Sequence, residues 1–338
     1  HTFSVAVMLA IAYSCSVGGI ATLVGTPPNL SLQRIFQITF PDAPPIAFGQ
    51  WVLMAFPITA ILLAVAWVLL TKVFYRVPAE VTVDRSVVDE QAEQLGAIGY
   101  EERVVLAVFV TTALMWLFRA PLEIGSLTIP GWSGLLPFGE LVDDATVAIG
   151  MASLLFFVPT RSPGAAAATV MGPDVIRRLP WNIVLLFGGG FALAHGFQIT
   201  GLAGFIGERF TGLAGVPPLL IIVSICLGLT FLTELTSNTA TTEMALPVLA
   251  SIAVATDIHP LLLMVPATLS ASCAFMMPVA TPPNAVVFGS QRVSIAEMAR
   301  VGLALNVIGA VVITLVFYVL GTALFGIEPG VVPAWARP

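Results

Sequence analysis

The chain has 338 residues, 58% of them hydrophobic and 9% charged, with a net charge of −6 and a mean hydropathy of +0.99. That balance excludes a water-soluble globular domain. The charge is spread through the loops without a basic face, which argues against a nucleic-acid partner or a polybasic lipid-binding segment.

A hydrocarbon core about 30 Å thick takes roughly 20 apolar residues per crossing helix, and several stretches meet or approach that length. The first, 2–17, has neither a basic leader nor a small-residue cleavage site, so it does not read as a signal peptide. It runs into "GGIATLVGTPPN" at 18–29. Two adjacent prolines remove backbone donors and push the residue before them out of helical geometry, so a break is expected there. An apolar stretch at 50–71 follows. Between 76 and 103 the chain turns polar and reads as a cytoplasmic linker with a short surface helix. Beyond it come apolar stretches at 104–118 and 145–159, separated by a loop carrying Glu123, Glu140, Asp143 and Asp144. The stretch 180–197 contains a triple glycine at 188–190, read as a helix-packing feature because no strand precedes it and no Lys follows. His195 closes that stretch, as a cap or interfacial residue or as a proton carrier.

Residues 217–256 are interrupted by "LTELTSNTATTEMALPV" at 232–248. So many hydroxyls and amides at membrane depth are costly unless they are used or internally satisfied. Ser, Asn and Thr all cap helices, so Ser237, Asn238 and Thr239 are expected to start a second short helix, giving a re-entrant hairpin. The freed amides and positive end of that helix suit a carboxylate, and the carbonyl end of the helix before it suits a cation. Interhelical hydrogen bonding by a Ser/Thr-rich segment is the simpler alternative. Glu234 and Glu243 flank the motif and are expected to support the hairpin backbone or supply negative potential favouring sodium. A further stretch, 259–279, leads into "ATPPN" at 280–284, and the last, 300–325, into the tail. The two TPPN copies stand 255 residues apart, each with a Gln-Arg pair soon after. Repeats interrupted at equivalent points are characteristic of transporters with two halves of opposite orientation. Two ordinary proline kinks satisfied by neighbouring helices would give the same pattern.

Threading these spans alternately puts Lys72, Arg76, Arg85, Arg103, Arg161, Arg177, Arg178, Arg292 and Arg300 on one face and Arg34, Arg119, Arg209 and Arg337 on the other. The richer face is the cytoplasmic one. Cys15, Cys226 and Cys273 lack metal-ligand spacing and read as small packing residues. His1 and His259 read as loop residues, and with neither G-x-S-x-G nor H-E-x-x-H a hydrolase is disfavoured, so no enzyme is expected.

The Ser-Asn-Thr tip, the two TPPN segments, "EQLGAIGYEERVVLAVFVTTALMWLFR" at 93–119 and "LLFGGGFALAHG" at 185–196 together resemble the divalent anion/sodium symporters, carriers of di- and tricarboxylates. The resemblance implies an all-α polytopic membrane protein, an inverted-repeat transporter with re-entrant hairpins and broken helices. On that reading 1–75 is the C-terminal part of a first inverted repeat. Residues 76–103 are the linker, 104–326 the second repeat with its hairpin at about 217–256, and 327–338 an extracytoplasmic tail. The implied substrate residues are Ser237, Asn238, Thr239, Thr281 and Pro282, with Thr26 and Pro27 from the first repeat. Sodium ions (Na+) would take oxygens from Thr233, Thr236, Asn238 and the backbone of Ala280, and a first site would keep Gly25. The resemblance also implies a homodimer in the cytoplasmic membrane and sodium-coupled, elevator-like uptake of succinate, malate or fumarate. Sodium-independent exchange, or carriage of citrate or sulfate, stands as the alternative. The family has two Ser-Asn-Thr tips and this chain has one. The equivalent of Ser237 would fall about eighteen positions before His1, so a longer carrier, N-terminally truncated here, is expected.

Overall fold

The computed structural model describes residues 2–76, 85–124, 127–161, 168–213 and 215–337. His1, most of the linker's first third (77–84), and 162–167 lie outside them. Among the described residues the fold is all-α apart from one short antiparallel pair, Leu122–Ile124 with Leu127–Ile129, and an isolated bridge between Pro159 and Thr169. In chain order the helices are α1 (Thr2–Ile20), α2 (Pro27–Thr39), α3 (Phe48–Val68), α4 (Arg85–Leu95), α5 (Tyr100–Leu117), α6 (Asp144–Leu154), α7 (Val175–Arg178), α8 (Trp181–Ile199), α9 (Leu202–Glu208), α10 (Pro218–Thr233), α11 (Asn238–Ala255), α12 (Pro260–Ala271), α13 (Pro282–Gly289) and α14 (Ile295–Val316). Helix α4 is the surface helix expected within the linker.

Two compact units divide the chain. The smaller comprises 47–49 and 78–181. In it α5 packs on α6, Arg119 pairs with Asp144 at 2.6 Å, and Asp143 caps α6 by accepting from the Thr146 amide at 2.7 Å. The Thr146 hydroxyl and amide hold the Asp143 carboxyl below the ordinary carboxylate range. Of the four acidic residues in that loop, Asp143 and Asp144 thus serve local structure, and Glu123 and Glu140 are exposed.

The larger unit, 1–46, 50–77 and 182–338, holds both TPPN segments and the hairpin. Its helices are inside out by soluble standards. Phe56, Trp67 and Leu185 are more than half exposed, and α8 buries little of its apolar length, as expected of surfaces that meet lipid. Four helical stretches among the described residues are long and apolar enough to cross a membrane: Thr2–Ile20, Phe48–Phe74, Trp181–Ile199 and Ile295–Leu324.

The breaks differ from expectation in where the prolines sit. Helix α1 stops at Ile20, and Pro27 and Pro28 open α2. In the second copy α12 stops at Ala271 and Pro282 and Pro283 open α13. Proline is well suited to the first helical positions, whose N–H groups would find no intrahelical partner. The prolines therefore start the second half of each broken helix and do not end the first half. The stretch 259–279 is accordingly a shorter helix followed by ten non-helical residues, 272–281. His259, expected in a loop, is buried at the start of α12, where Nδ1 accepts from the Leu261 amide and the ring meets Trp335 edge-on.

The halves of the two broken helices are exchanged in their packing: α1 lies on α13 and α2 on α12. Close approach is set by glycine. A β-carbon on Gly25 would fall 2.1 Å from the Gly19 carbonyl oxygen, and one on Gly302 of α14 would fall 2.3 Å from that of Phe275, inside the second break. Gly302→Ala is expected to cost about 1–3 kcal/mol by forcing α14 off the non-helical segment. Thermal unfolding of the detergent-solubilised protein checks this, and an unchanged midpoint would show that the segment yields freely.

Candidate functional site

Three helix starts converge on one cavity of about 420 Å³ in the larger unit. Helix α2 begins after Thr26 and α13 after Thr281, with near-identical backbone angles at the two threonines (φ −138°, ψ 144° and φ −138°, ψ 151°). Helix α11 begins after Ser237, whose Oγ accepts from the Ala240 amide at 3.5 Å. Gly25, Thr26, Pro27, Ser237, Asn238, Thr239, Ala280, Thr281 and Pro282 all line this cavity. No lining residue is charged.

The three starts are chemically unequal. Pro27, Pro28, Pro282 and Pro283 carry no N–H, so α2 and α13 offer the positive end of a helix dipole with few donors. Asn238 and Thr239, the first residues of α11, keep amides outside the intrahelical ladder, and Thr239 adds a hydroxyl. Directional hydrogen bonds to an anion therefore come mainly from the Ser-Asn-Thr tip, and the proline tips supply field.

Oxygen atoms suited to a cation lie at the same place. The Thr233 hydroxyl donates within reach of both Asn238 Oδ1 and the Ala271 carbonyl, 3.2 Å away. The Thr236 hydroxyl is engaged elsewhere: it donates to the Leu232 carbonyl at 2.9 Å, pairs with Thr241 Oγ1 at 2.6 Å, and lines a separate apolar cleft between α10 and α11. Among the described residues no cluster of His, Cys, Asp and Glu is placed to hold a metal ion.

The non-helical backbone is held by buried side chains. Asn29 Nδ2 donates to the Thr22 carbonyl at 2.9 Å, and Asn284 Nδ2 to the carbonyls of Met277 and Ala274, both at 3.0 Å. The Asn29 to Thr22 and Asn284 to Met277 bonds obey the same 255-residue offset as the TPPN motifs. Both asparagines are fully buried, and each keeps an Oδ1 with no hydrogen-bond partner.

Glu234 does not bond its own hairpin's backbone, as one reading expected. Its carboxylate accepts from the amides of Met276 and Met277 (2.9 and 2.8 Å) and from Asn306 Nδ2 (2.7 Å), while Asn306 Oδ1 accepts from the Phe275 amide at 3.3 Å. Glu243 accepts from the Ser31 hydroxyl at 3.0 Å. Of the triple glycine only Gly190 is used for close packing, against Glu243. Gly188 and Gly189 face open space. His195 lies within α8, exposed.

Sequence reasoning missed Cys15, Ser16 and Ser272, which line the cavity, and Asn306. Ser272 Oγ donates to Thr26 Oγ1 at 3.2 Å, joining the two breaks. A lone amide in the apolar run "LALNVIGAVV" was the available signal for Asn306. Cys15 is exposed at the cavity and is not an inert packing residue, whereas Cys226 and Cys273 are buried.

A family model described as the sodium:sulfate symporter transmembrane region matches residues 1–327. The chain belongs to that family. Among curated members, the sodium-dependent dicarboxylate transporter SdcS of Staphylococcus saprophyticus is 39% identical over 327 residues, which are 96% of this chain and 60% of that protein. The protein of the same name from Staphylococcus aureus matches with the same identity and coverage. The chain thus spans about three fifths of the length of these symporter-family relatives. Membership and the apolar helices make it an integral, polytopic membrane protein.

Cys15 provides a probe of the cavity. A membrane-impermeant maleimide is expected to modify Cys15 and spare Cys226 and Cys273. Mass spectrometry checks this, and an unmodified Cys15 would show that the cavity is closed to water-borne reagents.

Proposed function

We propose that this chain is part of a secondary active transporter that carries a C4-dicarboxylate such as succinate, malate or fumarate together with sodium. The observation that supports this most is the cavity at which the Ser-Asn-Thr tip and both Thr-Pro-Pro helix starts converge without one charged lining residue. A dianion in such a place is met by amides, hydroxyls and helix ends alone. Burying it without a positive partner costs several kcal/mol, so cations arriving from solution complete the neutralisation. That is the physical basis for coupling.

In this reading Ser237, Asn238 and Thr239 bind one carboxylate through amides and hydroxyls, and Thr281 with Pro282 and Thr26 with Pro27 face the rest of the substrate. Sodium is shared between Thr233, Thr236, Asn238 and the backbone of Ala280, and Gly25 belongs to a second ion site. The exchanged packing of α1 with α13 and α2 with α12 supports reading 1–75 and 104–326 as parts of two inverted halves, with 76–103 between them and 327–338 outside. The hairpin formed by α10 and α11 is then re-entrant, and the moving body travels elevator-fashion within a homodimer. The relatives named dicarboxylate transporters favour this substrate class. The family's description favours sulfate as the competing cargo, and uptake of labelled sulfate in place of succinate would select it.

Asn238→Ala, introduced into the protein expressed from its complete gene, is expected to abolish sodium-dependent succinate uptake in proteoliposomes. Uptake at the parent rate would remove Asn238 from the site.

A further inference from the structure

Glu243 is an ionisable group that bonds neither the hairpin backbone nor any of the proposed substrate and sodium residues. It is 2% exposed. One carboxyl oxygen accepts from Ser31 Oγ at 3.0 Å. The other lies over Gly190 of α8, so close that a β-carbon there would be 2.0 Å from Oε2. Among the described residues no Lys, Arg or His nitrogen approaches it within 4.0 Å.

The elements packed around α11 offer little to offset a charge. Helix α12 carries no charged side chain and is capped by His259, already bonded to the Leu261 amide. Arg34 on α2, His195 on α8, Glu208 at the end of α9 and Arg209 after it are exposed. Glu234, after α10, is occupied by two amides and Asn306. A carboxylate so enclosed, with a single neutral donor, is stabilised by taking up a proton.

Its position gives the proton a consequence. Ser31 is four residues beyond Pro27 and Glu243 five beyond Asn238, so the carboxyl stands roughly 6 to 8 Å behind the cavity-facing starts of α2 and α11. A negative charge there opposes the positive ends of both helices, and buried charges are poorly screened.

We propose that Glu243 is a proton-binding site linked to the anion cavity: its neutral form favours binding of the dicarboxylate, and the bound dianion in turn draws a proton onto Glu243. The inference rests on the carrier reading. The linkage is reciprocal, so it is measurable from either side.

The test uses fumarate, with sodium saturating, on the purified protein expressed from its complete gene. The parent is expected to bind fumarate about tenfold more weakly for each pH unit above the Glu243 titration, over the range where linkage acts. It should also take up a fraction of a proton on binding, read with a pH indicator in weak buffer. Glu243→Gln is expected to bind fumarate with a flat pH profile and no proton uptake from this position. Ser31→Ala, which removes a bond to the charged form but keeps the carboxyl, should move the midpoint of the parent profile to higher pH, and it serves if the glutamine variant does not fold. Identical pH profiles and identical proton uptake in the parent and Glu243→Gln, or an unmoved midpoint in Ser31→Ala, would overturn the linkage while leaving the carrier reading intact. No fumarate binding by the parent at any pH would overturn both.

Discussion

The fold turns on the requirement that backbone withdrawn from a helix inside a membrane protein keep its hydrogen bonds. Residues 272–281 leave the helical ladder where neither lipid nor bulk water is available as a substitute. The chain answers with side chains from distant positions. Glu234 takes two amides, Asn306 takes a third and bonds Glu234, and Asn284 reaches back to two carbonyls. The first break uses the same device with Asn29. Because Gly302 and Gly25 admit the neighbouring backbone, these bonds form at full contact. The cavity opens where the two breaks and the Ser-Asn-Thr tip meet.

The cavity combines two kinds of helix start. The proline-led starts present a field without donors, and the Ser-Asn-Thr start presents donors. Thr233 brings a hydroxyl and Asn238 an amide oxygen to within hydrogen-bonding distance of each other at the same tip. An anion and a cation can thus be served by atoms of a single turn, as the proposed coupled transport requires.

Much of this was legible in the sequence because it depends on residues that stand out against an apolar background. Thr-Pro-Pro-Asn and Ser-Asn-Thr are costly at membrane depth and marked both breaks and the hairpin turn, while the site residues came from the family resemblance, and of these all but Thr233 and Thr236 line the cavity. The length of the second break was not legible. It is set by Glu234 and Asn306, 31 to 43 residues away from the amides they hold, and no local propensity encodes that meeting. Nor was the role of the prolines, since a Pro-Pro pair reads equally as the end of one helix or the start of the next. Cys15 and Ser272 were passed over because small residues in apolar runs usually pack. Here the exchange of helix halves turns them toward the cavity.

That exchange also bears on motion. With α1 seated on α13 and α2 on α12, each broken helix is clasped by both halves of the other, and Ser272 bridges to Thr26 across the gap. Neither can be displaced alone without unpacking its counterpart. On the proposed carrier reading, the distance between the two proline tips would then behave as a calliper locked at one setting, so that a cargo measured at loading would keep the same fit on the other side.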